Sequence, residues 1–255
     1  FDGLATAAEC AVLLSGDLSY LDLLRSQIQM LLDNSITRED GQLLVPTRYT
    51  PEGWGYTKPE VWGTGPAPVR ERELAHLYHA SMLPEDYDLI AKVRAGDVER
   101  DWNGPIVGGQ IKGGQIDLAR FQFYDGRMPD WPEKVLEAEL DVAVTTYASI
   151  RNDTRDMPTM VAEIGSVPPN PVFTVGLTQV TMGTPQTVYN GGLLRATVRY
   201  FDTERARPGL PPDVAALVDE LRSEGVGIQL VNLNRRETRS LIVQAGAFGE
   251  HQFTD

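Results

Sequence analysis

The sequence predicts an α+β protein, a run of helical hairpins followed by a small β-rich module. Three observations predict it. Over the first two-thirds of the chain, apolar residues recur at three- and four-residue steps in segments long enough for helices. Short turn signals built from Gly, Ser, Asp and Pro separate those segments. After Asn152 the texture changes to scattered prolines, a Tyr189-Asn190-Gly191-Gly192 turn and alternating strands. The expected division is a helical-hairpin domain over 1–183 and a β-rich module over 184–255.

The helices follow in order. Leu4 to Leu14 is apolar nearly all round, the pattern of a helix packed on several sides. Ser15-Gly16-Asp17 then turns the chain, with Gly suited to the left-handed C′ position and Asp to the next N-cap. A second helix over about 19–34 carries Leu21, Leu24, Ile28, Leu31 and Leu32 in one stripe. A turn this short sets the two helices antiparallel and side by side. Ile36 to Pro68 is a long segment rich in Gly, Pro, Trp and Tyr. Helix three is expected over 69–82 and helix four from Pro84 to about Ala95, since Pro is accepted in a first turn. Asp97 to Gly114 forms a second loop. Helix five covers about 115–124, and helix six runs from Pro132 to about Ile150 with Val135, Leu136, Leu140 and Val144 on its inner side.

A Pro-rich connector with Pro158, Pro168, Pro169 and Pro171 leads to a seventh helix over about 172–182. Leu193 to Phe201 alternates as a half-buried strand. Pro211 to Leu221 has the spacing of a short amphipathic helix. Gly227–Leu233 and Ser240–Gln244 read as two strands joined antiparallel by the polar turn 234–239, too short for a crossover. This end is expected to be a β-sandwich fragment or a small sheet with one helix laid on it.

Composition narrows the function. The 255 residues are 42% hydrophobic, ample for a real core, and the formal net charge is −13. Such a surface repels phosphate backbones and anionic headgroups, which disfavours nucleic-acid and membrane partners. No apolar run approaches the roughly 18 residues that span a bilayer. Cys10 is the only cysteine, so no intramolecular disulfide forms and no Cys-based zinc site exists. Neither a metal nor another cofactor is implied. Cytoplasmic and exported bacterial locations are both compatible with these features.

Residues with chemical potential cluster in a few places. Arg48, Tyr49, Trp54, Tyr56 and Trp62 lie in the Gly- and Pro-rich segment, where rings can stack on sugar faces or pack as a satellite core. Helix three carries Glu73, His76 and His79 at steps of three, with Tyr78 beside them. That is neither H-E-x-x-H nor a complete di-iron motif, so acid–base work is the stronger functional reading than metal binding, beside the plainer one of ordinary core or surface histidines with one polar tip satisfied. Glu60 lies among the aromatics, Asp117 opens helix five, and Asp125 ends it before Gly126. A carboxyl pair about 5 to 10 Å apart is what glycoside cleavage requires. No G-x-S-x-G elbow is present.

Hairpins in series, joined by Ser15-Gly16-Asp17-Leu18-Ser19-Tyr20-Leu21-Asp22-Leu23-Leu24, resemble the six-hairpin glycosidase superfamily, in which L-x-G-D-x-x-Y-x-x-L phrases recur between paired helices. The resemblance covers about 4–182 and implies an (α/α)6 toroid followed by a β-sandwich. It implies a carbohydrate-active enzyme, hydrolysing a poly- or oligosaccharide with carboxylates as acid and base. A polysaccharide lyase with a Tyr or His base and arginine partners such as Arg48 or Arg70, or a non-catalytic glycan-binding or scaffold module, are the alternatives. Only about three of six hairpins are present, so the chain is expected to be the C-terminal part of a longer one. Its exposed apolar edges would then meet a missing N-terminal half or a second copy.

Overall fold

The computed structural model describes residues 4–41, 43–46, 48–56, 71–96, 119–164, 175–184 and 195–254. It is a mixed α+β fold. α1 (Leu4–Ser15) ends where Gly16 takes φ +72° and its N–H bonds back to the Val12 carbonyl at 2.7 Å. Asp17 accepts the Ser19 N–H at 2.9 Å and caps a short 3-10 turn, Leu18–Leu21, which leads into α2 (Asp22–Asp33). The Ser-Gly-Asp turn thus works as its chemistry dictates. On α2 and the turn before it, Leu21, Leu24, Ile28 and Leu31 are buried, the stripe expected from their spacing.

α3 (Glu71–Ser81) and α4 (Pro84–Gly96) make the second hairpin, and Pro84 occupies the first helical position. α1 packs on α3 and α2 on α4, so the two hairpins stack in register as two layers. Leu21, Ile28, Leu77, Ile90 and Phe121 fill the space between them. Arg25 on α2 clamps Asp86 on α4 through both carboxylate oxygens, at 2.7 and 2.9 Å, although Asp86 is only 2% exposed.

α5 (Arg120–Tyr124) is a single turn, and α6 (Trp131–Asn152) is the longest helix described. Val135 is buried and Leu136 partly so, as expected, but Leu140 and Val144 are 63% and 58% exposed. The inner side expected for all four holds only for the first two turns. Beyond them Leu140, Val144 and Tyr147 form an outward ridge at helical spacing. The connector contains a further helix, α7 (Met157–Ile164), whose Thr159 N–H is capped by Asp156 at 2.9 Å. α8 (Val175–Met182) approaches α6 so closely that a Cβ on Gly176 would stand 2.6 Å from Glu139 Cγ.

Between the hairpins lie two small β-hairpins, β1 (Ile36–Thr37) with β2 (Leu43–Leu44) and β3 (Arg48–Thr50) with β4 (Gly53–Gly55). Among the described residues the β-rich end has two sheets. One orders β6 (Arg207–Pro208), β5 (Val198–Asp202) and β9 (Leu241–Ala245); the other pairs β7 (Val214–Arg222) with β8 (Gly225–Asn232). Val198 and Tyr200 of the first sheet pack on Ala216 and Val218 of the second, with Met182 of α8 against them.

Two expectations are corrected here. The segment 211–221 is mostly strand, not helix: Val214, Ala216 and Val218 alternate inward, and pairing with β8 from Val214↔Asn232 to Arg222↔Gly225 overrides the helical spacing of the same residues. The strands 227–233 and 240–244 are not partners. β8 pairs with β7 and β9 with β5, so the 234–239 turn carries the chain from one sheet to the other. Arg239 pins that crossing by bridging Asp213 at 2.6 Å and Glu237 at 2.7 Å. Among the described residues no helix is long and apolar enough to cross a membrane.

Candidate functional site

The densest grouping of reactive side chains lies where α3, α1 and α5 meet the start of the β-rich end. α3 turns His76 and His79 inward, 4% and 2% exposed. On α1 the single charged residue, Glu9, is 3% exposed, and one of its carboxylate oxygens meets His76 Nδ1. A carboxylate on one ring nitrogen fixes an imidazole's orientation. Glu9 Oε1 has no hydrogen-bond partner among the described residues.

His79 is held differently. Its Nδ1 is buried without a hydrogen-bond partner among the described residues. Burial, then the charges of Arg195, Arg120 and His76, push its pKa well below the ordinary histidine value. It is therefore held as the uncharged imidazole. Arg195 donates from Nε to the His79 carbonyl at 3.2 Å. Burial lowers the pKa of Arg195, while Glu9 and Glu250 oppose that shift.

Arg120 completes the group. It opens α5 at 2% exposure, its guanidinium lies 5.4 Å from the Trp131 ring centroid, and none of its three side-chain nitrogens finds a hydrogen-bond acceptor among the described residues. A cation buried on an aromatic face recovers part of its lost hydration, but its N–H donors stay unspent.

The residues singled out from sequence fall elsewhere in part. Tyr78 packs tilted against Tyr87 at 4.7 Å and edge-on against Tyr124 at 5.2 Å, and burial raises its pKa, away from a base at neutral pH. Asp125 is embraced by the Tyr87 hydroxyl, Arg127, and Arg94 at 3.4 Å. Burial works against its charge, but these donors prevail and hold its carboxyl below the usual range. A general acid needs the opposite shift.

Tyr49 and Trp54 face each other across β3 and β4, rings 4.8 Å apart at 67°, with Tyr49 61% exposed. Tyr56 donates its hydroxyl to the Asn34 carbonyl at 2.6 Å, tying this hairpin to the end of α2. The backbone of Arg48 belongs to β3. Glu60, Trp62, Arg70 and Asp117 lie outside the described residues.

Sequence reasoning missed Glu9, Arg120 and Arg195. A signal existed for the first two. Glu9 is a lone charge in an otherwise apolar helix, and Arg120 sits between apolar neighbours, Ala119 and Phe121. Charges in such settings are paired or functional. Among the described residues no group of three or more His, Cys, Asp or Glu side chains is placed to hold a metal ion.

The chain belongs to the family described as Domain of unknown function (DUF8034), whose model matches residues 1–178. No curated protein and no solved structure matches it.

Proposed function

We propose that this chain is a carbohydrate-active enzyme on a helical-hairpin scaffold of the six-hairpin, toroid-forming type, cleaving a poly- or oligosaccharide. The observation that carries the reading is the stacking of α1 on α3 and α2 on α4, the two-layer arrangement that successive hairpins of an (α/α) toroid adopt. The β-rich end packed behind α8 agrees with it. The exposed edge of the Tyr49–Trp54 pair suits a sugar face, since an aromatic ring offers apolar contact without demanding a hydrogen bond.

Two chemistries remain, and one observation favours the second. Hydrolysis by a carboxyl pair would draw on Glu60 and Asp117, because Asp125 is committed to Tyr87 and two arginines. Elimination from a uronate draws on an imidazole base and cations that neutralise the acid. His76, oriented by Glu9, and neutral His79 beside Arg120 and Arg195 supply those groups. The membership in DUF8034 is neutral between them.

The purified chain, given a panel of neutral and acidic glycans, distinguishes the outcomes. New reducing ends with the ultraviolet absorbance of an unsaturated uronate mark elimination; reducing ends without it mark hydrolysis. Absence of both across the panel overturns the enzymatic reading and leaves a glycan-binding or scaffold role.

A further inference from the structure

We infer that Arg120 is the heart of a buried receptor for a small oxyanion, such as the carboxylate of a sugar acid or inorganic phosphate. Arg120 is 2% exposed, and Nε, Nη1 and Nη2 have no hydrogen-bond acceptor among the described residues. A guanidinium fork presents paired donors that match the two oxygens of a carboxylate or phosphate.

No described carboxylate meets that need. Glu9 is engaged by His76 and faces Arg195, and Glu250 also acts on Arg195. Glu139, the buried carboxylate of α6, accepts the Gly176 N–H at 2.9 Å and makes no hydrogen bond to Arg120. The charge of Arg195 is thereby opposed on two sides, while Arg120 lies over the Trp131 ring and has no hydrogen-bonded carboxylate among the described residues.

His79 leaves a further buried polar atom, Nδ1, without a hydrogen-bond partner among the described residues. The charge of Arg120 is among the causes that hold the His79 pKa down, as a buried cation without a counter-ion would. The inference does not depend on whether the protein cleaves glycans, because its test reads binding and not turnover.

Calorimetric titration of the purified chain with glucuronate, inorganic phosphate and acetate tests it. Saturable binding of at least one of the three is expected. The stronger of the first two identifies the source. Arg120→Met should weaken binding by about tenfold or more, the loss of charge-assisted hydrogen bonds to an anion. It should not lower the melting temperature of the ligand-free chain, since it removes an unsatisfied buried charge. The proposal is overturned if the parent chain binds none of the three probes, or if Arg120→Met binds as tightly as the parent. A ligand-free melting temperature that falls in Arg120→Met also overturns it, by marking Arg120 as a structural partner.

Discussion

The helical layer and the β-rich end bury different things. Inside the stacked hairpins and their joint lie Glu9, His76, His79, Asp86, Arg120 and Glu139, all 4% exposed or less. Between the two sheets lie Val198, Tyr200, Ala216 and Val218, and the buried Asp202 turns its carboxylate to the backbone N–H groups of Glu204 and Arg205. The difference follows from how each element spends its backbone. A helix satisfies its own N–H and C=O groups, so a neighbouring helix can bring a side-chain partner across the layer. Arg25 reaches Asp86 and Glu9 reaches His76 in this way. A strand satisfies itself through its neighbours, and alternation sorts apolar side chains inward almost unaided. Chemistry on this scaffold therefore collects on the helical side. The family match, which ends at residue 178 within α8, covers that side and stops short of β5 to β9.

The largest test of this contrast is the clamp between hairpins. Asp86→Ala removes a carboxylate held by two hydrogen bonds in a 2%-exposed position. Breaking a buried pair typically costs about 3 to 5 kcal/mol. Arg25 keeps Asp22 at 2.7 Å and is itself a quarter exposed, so about 2 to 3 kcal/mol is expected in urea unfolding. If the loss is within error of zero, the helical layer does not depend on its buried charges and the contrast dissolves. Loss of the helical signal ahead of the sheets would sharpen it, since it would show two separable units.

How much of this was legible depended on the range of the decisive contact. The Ser15-Gly16-Asp17 turn, the Leu21–Leu31 stripe and Pro84 at the head of α4 are local, and the sequence states them outright. The segment 211–221 is the counter-example. Val214, Leu217, Val218 and Leu221 fit a helix while Val214, Ala216 and Val218 fit a strand, and only pairing with β8 decides. The same limit applied to the site. The steps of three from Glu73 brought His76 and His79 into view, but Glu9 is 67 positions from His76 and Arg195 is 116 from His79. No spacing rule spans such distances. Leu140 and Val144 misled for a related reason: their periodicity marks an apolar side, not what covers it.

A smaller effect tests the joint between the two regions. Gly176 lets α8 approach α6, and an added Cβ would stand 2.7 Å from both Glu139 Oε1 and Val135 Cγ1. Gly176→Ala should destabilise by about 1 to 3 kcal/mol through overpacking. Because Val180 and Met182 of the same helix join the helical core to the sheets, the variant should lower the midpoint read by tryptophan fluorescence and by far-ultraviolet circular dichroism together. A shift in only one probe would mean that α8 serves one region alone.

The smallest effect is also the most specific, because it depends on pH. His79 has a folded pKa well below its unfolded value near 6.5, chiefly through burial and then through Arg195, Arg120 and His76. Above that value both states are neutral and the stability is fully present. As pH falls through about 6.5 the unfolded chain takes up a proton that the folded chain refuses, so stability drops by at most about 1.4 kcal/mol per pH unit. His79→Gln removes the titrating group and should flatten the decline between about pH 6.5 and 5, while changing little above pH 7. Carboxylates such as Asp125, whose pKa is lowered, lose their contribution only at more acid pH, so the two limbs separate. An unchanged acid limb in His79→Gln would mean that His79 protonates in the folded chain without penalty. The cations around it would then be screened, and the helical side would bury its charges as paired, solvent-like groups no different in kind from those at the turns of the sheets.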